Sequence, residues 1–380
     1  MGKISVVLVT DYLTRKTGGP RFLFDVLYHL AQTRKYNVIV LTGYFDKELY
    51  YAQKVINIEE LRVFSHDVGL TPHKQPLNAL KFFIKSLNTI RNILNEQKDN
   101  ILIHLNSHIP ILLSYFIVQK YPIVCSIHHL ETLFTVQGAI AKAGVLFLQN
   151  LFEINAPSTL IHVPSRHVKQ NLIKKSIFNK DKIIVIPPGI NFSKYSKVER
   201  YPKRGLFVMI GRLEPRKHYE HAIYSFKIAK KKRPKLELII IGKGSLESKL
   251  KMLTKKLDLS DSVTFAGIVS EKEKIRILSQ AEALIHLGYP EGFGIVIVEA
   301  LALGVPVIAY DIPPINEIIT NAVHGILIKK DDIFELAKVI ETFSSKDFNI
   351  KDLKKRAKIY DINEIAKKFD LIYSSLIRSQ

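Results

Sequence analysis

The stretch "AEALIHLGYPEGFGIVIVEALALGVPVIAY", residues 281–310, decides the fold. Its apolar opening, "AEALIHL", reads as a strand. The bend "GYPEGFG" follows, built on glycine and proline. "IVIVEALALG" then reads as a buried helix that ends at Gly304, a glycine C-cap. Pro306 opens the next strand, "VPVIAY". Strand, helix, strand, with the strands apolar throughout, is the repeating unit of a parallel sheet covered by helices. Two acids interrupt this unit. Glu291 stands in the bend and Glu299 about one and a half turns into the helix, at ~3.6 residues per turn. A core helix does not need acids at those places, and a solvated face would not be so apolar.

The same alternation runs along the whole chain. "ISVVLV", "YNVIVLT", "NILIHLN", "PIVCSIH", "TLIHVP" and "KIIVIPP" read as strands of a first half. "LFVMIG", "LELIIIG", "SVTFAG", "AEALIHL", "VPVIAY" and "HGILI" read as strands of a second. Helical pattern of roughly 10 to 20 residues separates them. Between the halves lies "NFSKYSKVERYPKR", polar and charged, read as a linker over Asn191–Arg204. The expected architecture is two doubly wound α/β domains in tandem, over 1–195 and 204–360. A helical C-terminal segment, 361–380, follows.

Size and composition agree with a globular protein. The chain has 380 residues, a length that favours two domains. It is 47% hydrophobic and 24% charged, enough apolar material for sizeable cores. A single cysteine, Cys125, excludes a disulfide framework and points to a reducing compartment. The run Ile4–Val9 is too short for a signal-peptide core, and no run of roughly 18 apolar residues occurs. A cytoplasmic location is expected. The formal net charge of +21 draws polyanions: nucleic acid, anionic lipid or phosphorylated small molecules.

In doubly wound sheets, ligands bind outside the carboxyl ends of the strands, on the loops leading into helices. Several such loops carry chemistry. "TDYLTRKTGGPRF" follows the first strand, and Gly18 and Gly19 let a ligand approach the start of the next helix. An ordinary tight turn reads equally well there. His104, His108, His128 and His129 fall at strand ends of the first half. Their spacing suits no zinc site, and His128 and His108 are the ones of interest as hydrogen bonders or bases. "GRLEPRK" sets Arg212 and Lys217 beside a helix start, a combination that suits a diphosphate as well as it suits a solvated basic loop. "IGKG" repeats strand and glycines at Gly242 and Gly244. It completes neither a dinucleotide fingerprint nor a Walker loop. In the opening stretch, Gly292 and Gly294 let backbone N–H groups face a ligand, with Glu291 at one end of it and Glu299 gripping another part.

With these residues in hand, the chain resembles the retaining glycosyltransferases of family 4. Glu291 and Glu299 carry the family's pair of glutamates eight residues apart, in the context "PEGFGIVIVEALALGVPVIA". Gly18–Gly19, "SIH" at His128, "VPS" at Ser165, "VIPPGIN", "GRLEPRK" and "IGKG" follow the expected order. The resemblance implies a GT-B fold, two Rossmann-like domains facing each other across a cleft, with a final helix crossing back to the first. It implies a nucleoside-diphosphate sugar as donor, held mainly by the second domain. Arg212 and Lys217 would hold the diphosphate and Glu299 the ribose hydroxyls. Glu291, with the backbone around Phe293 and Gly294, would hold the sugar near its anomeric carbon. Gly19 would let the first loop approach the phosphates, and His128 would lie by the transfer site.

It further implies retention of configuration, no cofactor and no bound metal. Two features depart from the family: "DIPPINE" replaces its usual glycine pair before Glu317, and the chain has no tryptophan. The acceptor expected is a glycan or a lipid-linked molecule. Leu77–Leu94 has apolar and basic residues at helical spacing, a candidate for an anionic membrane surface as well as for a packed helix. "AIAKAGVLFLQNLF" reads more simply as core. No specific nucleic acid is expected, since no binding module appears. The rival readings are a nucleotide-sugar 2-epimerase or phosphorylase of the same fold, and a non-catalytic sugar-nucleotide or nucleic-acid binder. The sequence leaves the base open among UDP, GDP and ADP.

Overall fold

Strands that are apolar on both faces need cover on both faces, and the chain meets that need twice. A computed structural model describes residues 3–13, 18–62, 76–96, 100–106, 108–117, 120–128, 157–175 and 180–379. Its first sheet contains β1 (Ile4–Leu13), β2 (Tyr36–Phe45), β3 (Asn57–Glu60), β4 (Ile101–Asn106), β5 (Ile123–Ser126), β6 (Leu160–Val163) and β7 (Ile183–Val185). The order is β3-β2-β1-β4-β5-β6-β7, with every neighbour parallel. Side chains alternate along β1 as the pleat requires. Val6 and Leu8 join a cluster with Phe22, Leu27 and Phe369, while Val7 and Val9 join another with Phe82, Ile103 and Leu105.

The helix Gly18–Gln32 and the C-terminal helix Ile362–Arg378 supply the first cluster. The helix Pro76–Glu96 supplies the second through Phe82 and Ile90. The C-terminal helix thus belongs to the same compact unit as Met1–Gly189. The Asp370 carboxylate fastens it, accepting bonds of 2.5 Å from both Tyr36 Oη and Lys35 Nζ.

The second unit, Ile190–Asp361, is built on β8 (Leu206–Ile210), β9 (Glu237–Ile241), β10 (Val263–Gly267), β11 (Ala283–His286), β12 (Val307–Tyr310) and β13 (Gly325–Ile328). The order is β10-β9-β8-β11-β12-β13, again all parallel. The helix Ile295–Leu303 is buried from Ile297 to Leu303, as its all-round apolar sequence demands. Each of its Ile, Val and Leu side chains taken from water contributes about 1.5–3 kcal/mol. Gly304 closes the helix in a left-handed conformation, φ 78°.

Every run read as a strand is one, and β3 is an addition. Its sequence, "NIEE", alternates exposed and half-buried positions on the sheet edge and has no apolar run to announce it. The linker needs correction. The unit boundary falls at Gly189–Ile190 rather than within Asn191–Arg204. The stretch is held by its own structure: Asn191 Oδ1 caps a short helix by accepting from Lys194 N at 3.2 Å, and Tyr195 is buried. "AIAKAGVLFLQNLF" lies outside the described residues. No helix among the described residues is long and apolar enough to cross a membrane.

Strand order reverses beside the first strand of each sheet, between β1 and β4 and between β8 and β11. Loops leaving such a pair turn to opposite faces and open a crevice at the carboxyl edge. In the second unit those loops are 211–218 and 287–294.

Candidate functional site

The two loops of the second unit meet through charge. Lys217 Nζ is paired with Glu291 Oε2, and both side chains are nearly buried. Arg216 Nη1 lies 3.6 Å from the same oxygen, and His286 Nε2, at the end of β11, lies 3.5 Å from it. The histidine contact is longer than a good hydrogen bond, and Nε2 has no hydrogen-bond partner among the described residues. Backbone bonds join the same loops: Tyr289 N donates to Arg216 O at 2.7 Å.

Gly288 leaves the room this needs. A Cβ there would stand 2.9 Å from Glu291 Oε2 and 3.1 Å from both His286 Nε2 and Lys217 Nζ. The cluster fixes the protonation states. Burial alone would raise the Glu291 carboxyl, but Lys217, then His286 and Arg216, hold it well below the usual carboxylate range. Burial pushes His286 down, and the neighbouring cations Lys217 and Arg216 reinforce this against Glu291. Glu214 bonds Arg216 at 3.2 Å and Arg212 at 3.0 Å, so at neutral pH the two loops hold three cations against two carboxylates beside a neutral imidazole, an excess of one positive charge.

Arg212 is placed differently from Lys217. Its side chain is 62% exposed and bonds Glu214 at 3.0 Å, so it stands at the rim and is free to turn toward an anion. Gly242 has a packing duty: a Cβ there would fall 1.9 Å from Gly211 O, so the β8 and β9 loops touch only because it is glycine. Phe293 packs its ring inward, 5.4 Å from that of Tyr360, leaving only its backbone for a ligand. Gly294, φ 95°, begins the helix Ile295–Leu303 with no side-chain cap, so the first N–H groups are not claimed by a capping side chain.

Glu299 is brought into a second cluster of its own. Lys274 Nζ donates to both of its oxygens at 2.8 Å, and Tyr195 Oη donates to Oε1 at 2.9 Å. Tyr195 also stands 2.7 Å from Glu271. Burial lowers Lys274, but Glu299 and Glu271 more than reverse it and hold the ammonium charged. A hydroxyl ligand of Glu299 would share the carboxylate with these partners.

In the first unit, His128 stands at the carboxyl end of β5. Its Nε2 is 2.6 Å from Asn106 Oδ1, and Asn106 Nδ2 donates to Thr10 at 3.2 Å. Gly18 and Gly19 open the helix Gly18–Gln32 itself rather than the loop before it. His108 begins a short helix, His108–Leu112, while His129 lies outside the described residues. His104 belongs to a buried file: Tyr373 Oη, His104, Ser126 Oγ, His162 and Ile186 O, in steps of 2.5, 2.6, 2.7 and 2.8 Å. Ile186 O only accepts, so His162 Nε2 carries a proton, and each bond before it is oriented in turn. Burial drives His162 down to about 4 and His104 well below its ordinary value.

Sequence reasoning missed Arg216, His286, Lys274 and Tyr195. A histidine closing a strand just before a glycine bend was a usable signal for His286. Nothing local marks Lys274, 25 residues before its partner Glu299.

Comparison with known proteins places these loops in context. Residues 17–194 match the model of "Glycosyltransferase Family 4", and residues 192–362 match that of "Glycosyl transferases group 1". The O-antigen chain mannosyltransferase RfbU of Salmonella typhimurium is 32% identical over 166 residues, which span 43% of this chain and 45% of that one. A glycosyltransferase of Methanocaldococcus jannaschii is 24% identical across 97% of this chain and 98% of its own. Among solved structures, Anabaena HepE in complex with UDP and glucose superposes with a TM-score of 0.76 at 17% identity, covering 98% of this chain and 100% of that one. Sucrose-phosphate synthase of Thermosynechococcus elongatus gives 0.79 at 17% identity, with full coverage of both chains.

Proposed function

The chain belongs to glycosyltransferase family 4 and is a glycosyltransferase of GT-B fold, and on that premise we propose a specific reaction. It moves a sugar from a nucleoside-diphosphate sugar to a hydroxyl of a glycan or lipid-linked acceptor, with retention of configuration and no metal in the transfer. The observation that carries this reading is the buried Lys217–Glu291 pair with Arg216 and His286 at the switch point of the second sheet. A glutamate locked in its ionised form, inside a net positive pocket, suits a ligand with hydroxyls at one end and a diphosphate at the other.

In the proposed step the bond from the anomeric carbon to the diphosphate oxygen breaks. The bond to the acceptor oxygen forms on the same face, and the acceptor's proton passes to the departing oxygen. Lys217, Arg216 and the rim residue Arg212 meet the charge that develops on the diphosphate. Glu291 orients the sugar, and Glu299, steadied by Lys274 and Tyr195, takes the ribose hydroxyls. HepE was crystallised with UDP and glucose, which makes UDP-glucose the first donor to try.

For the acceptor, the helix Pro76–Glu96 supports a lipid surface. Leu77, Leu80 and Ile84 are 73%, 55% and 49% exposed along one stripe, beside Lys81 and Lys85. Glu291→Gln, which keeps the shape, is expected to abolish transfer while the protein stays folded by circular dichroism. Turnover at the wild-type rate would remove Glu291 from the site.

A further inference from the structure

The sequence reading found no metal site, and it weighed only the histidines of the first half. The second unit offers a different set. His218, His221 and Asp331 each present one ligand atom, a ring nitrogen or a carboxylate oxygen, within 4.8 Å of one another. We infer that these three residues bind a divalent transition-metal ion, of which zinc is the fitting example.

Two imidazoles and one carboxylate are borderline donors. They suit zinc and its first-row neighbours and not magnesium or calcium, which take oxygen ligands. Metal–ligand bonds of about 2.0–2.2 Å leave tetrahedral ligands roughly 3.3 Å apart. Small side-chain rotations close the present spread to that value. A fourth position would fall to water.

Two details single this cluster out from surface histidines. His218 Nε2 is shut off from solvent and has no hydrogen-bond partner among the described residues. His221 Nδ1 faces Asp331 Oδ1 at 3.8 Å and is 2.5 Å from Tyr310 Oη, a bond that an ion on Nδ1 would replace. The two rings lie 4.9 Å apart, centre to centre, and Lys330 Nζ stands 3.4 Å from Asp331 Oδ2, leaving Oδ1 toward His221.

The ligands come from two places in the chain, 218–221 and 331, that the fold brings together. His218 follows Lys217, His221 lies in the first turn of the helix Tyr219–Ala229, and Asp331 sits in the turn after β13. His218 and Asp331 both take left-handed backbone conformations, φ 48° and 64°, which make the sharp bends this convergence needs. An ion here would clip the turn after β13 to the loop that carries Arg216 and Lys217. It would act as a staple beside the donor site, apart from the transfer chemistry. The metal site stands without the donor reading; only the stapled loop's role rests on it.

The test needs no activity. Full-length protein is stripped with EDTA, dialysed, and titrated with Zn2+ by calorimetry, with Co2+ absorption as a second signal. One saturable Zn2+ per chain is expected, with a visible-range Co2+ band. Outer partners of metal ligands already cost ~10–100-fold in affinity, so His221→Ala and Asp331→Asn should each weaken binding at least ~10-fold. Asp331 is half exposed, and asparagine accepts its left-handed backbone, so that variant keeps the fold if His221→Ala does not. Zn2+ binding that is absent from the wild type, or equal in wild type and Asp331→Asn, overturns the assignment.

Discussion

Replacing Lys217 by methionine keeps most of the apolar stem and removes the ammonium. What remains is Glu291, 14% exposed in its side chain, with Arg216 3.6 Å away. Removing one partner of a buried ion pair costs about 3–5 kcal/mol. Arg216 offsets part of this: at an effective dielectric of ~20 a pair at its distance attracts by about 4.6 kcal/mol before desolvation. Its own partial exposure screens that attraction. The loss expected is therefore near ~3 kcal/mol, the lower end of the range, read as a fall in the urea midpoint at unchanged slope.

The pH dependence carries the sharper signature. In the wild type the Glu291 carboxyl lies well below 4.5 in the folded state. Its contribution to stability is then present above that pH and lost only as pH falls further. In Lys217→Met, burial dominates and lifts the folded value above the unfolded one. The variant should lose stability as pH rises from about 5 to 8, where the wild type gains none or some. Adding Glu291→Gln removes the orphaned charge, so the double variant should be more stable than Lys217→Met alone and equally inactive. A single variant with wild-type stability and pH slope refutes the buried pair. So does a double variant whose loss is the sum of the two single losses.

Other consequences are simpler to read. Gly288→Ala places a methyl 2.9 Å from Glu291 Oε2, which a small shift of that flexible carboxylate relieves; it should lower kcat/KM by less than the ~100-fold of a full ~1 Å misplacement, about 10-fold. Steady-state kinetics at the wild-type value would show that the cluster does not touch substrate. The buried file of the first unit predicts acid sensitivity, since folded His162 takes up a proton near 4 and the unfolded residue near 6.5. Stability is lost as pH falls from 6.5 to 4, by about 3 kcal/mol for this residue. Urea midpoints across that window should fall less steeply in His162→Gln, and an unchanged slope would contradict the neutral file.

The fold was legible because its determinant is local. Apolar runs such as "LELIIIG" declare buried parallel strands, and glycine and proline mark where they stop. "NIEE" escaped because an edge strand has only one buried side to satisfy. The linker misled because its charge and proline outweighed Tyr195, whose burial depends on a partner 104 residues on. The site was legible as positions and not as pairings. Glu291, Lys217 and Arg212 stood out by spacing, yet Lys217 turned inward while Arg212 turned out. Gly242 stood out as a place where a ligand could approach, and its contact with Gly211, which joins two loops, did not show in the sequence. Glu299 looked free in sequence, and its holders, Lys274 and Tyr195, come from separate helices. Contacts of that kind are set by tertiary packing, which leaves no periodic trace in the chain.

The central claim is that the second unit binds a nucleoside-diphosphate sugar through Lys217, Arg216 and Glu291. A thermal-shift panel of UDP, GDP, ADP and their sugar conjugates, run in EDTA on the wild type and on Lys217→Met, tests it most directly. At ~100 times its dissociation constant a ligand adds about 2.7 kcal/mol, a clear shift. The account predicts that one nucleotide family stabilises the wild type without metal and that Lys217→Met loses the shift. A folded wild type that no nucleotide stabilises, or a variant that responds equally, would contradict it.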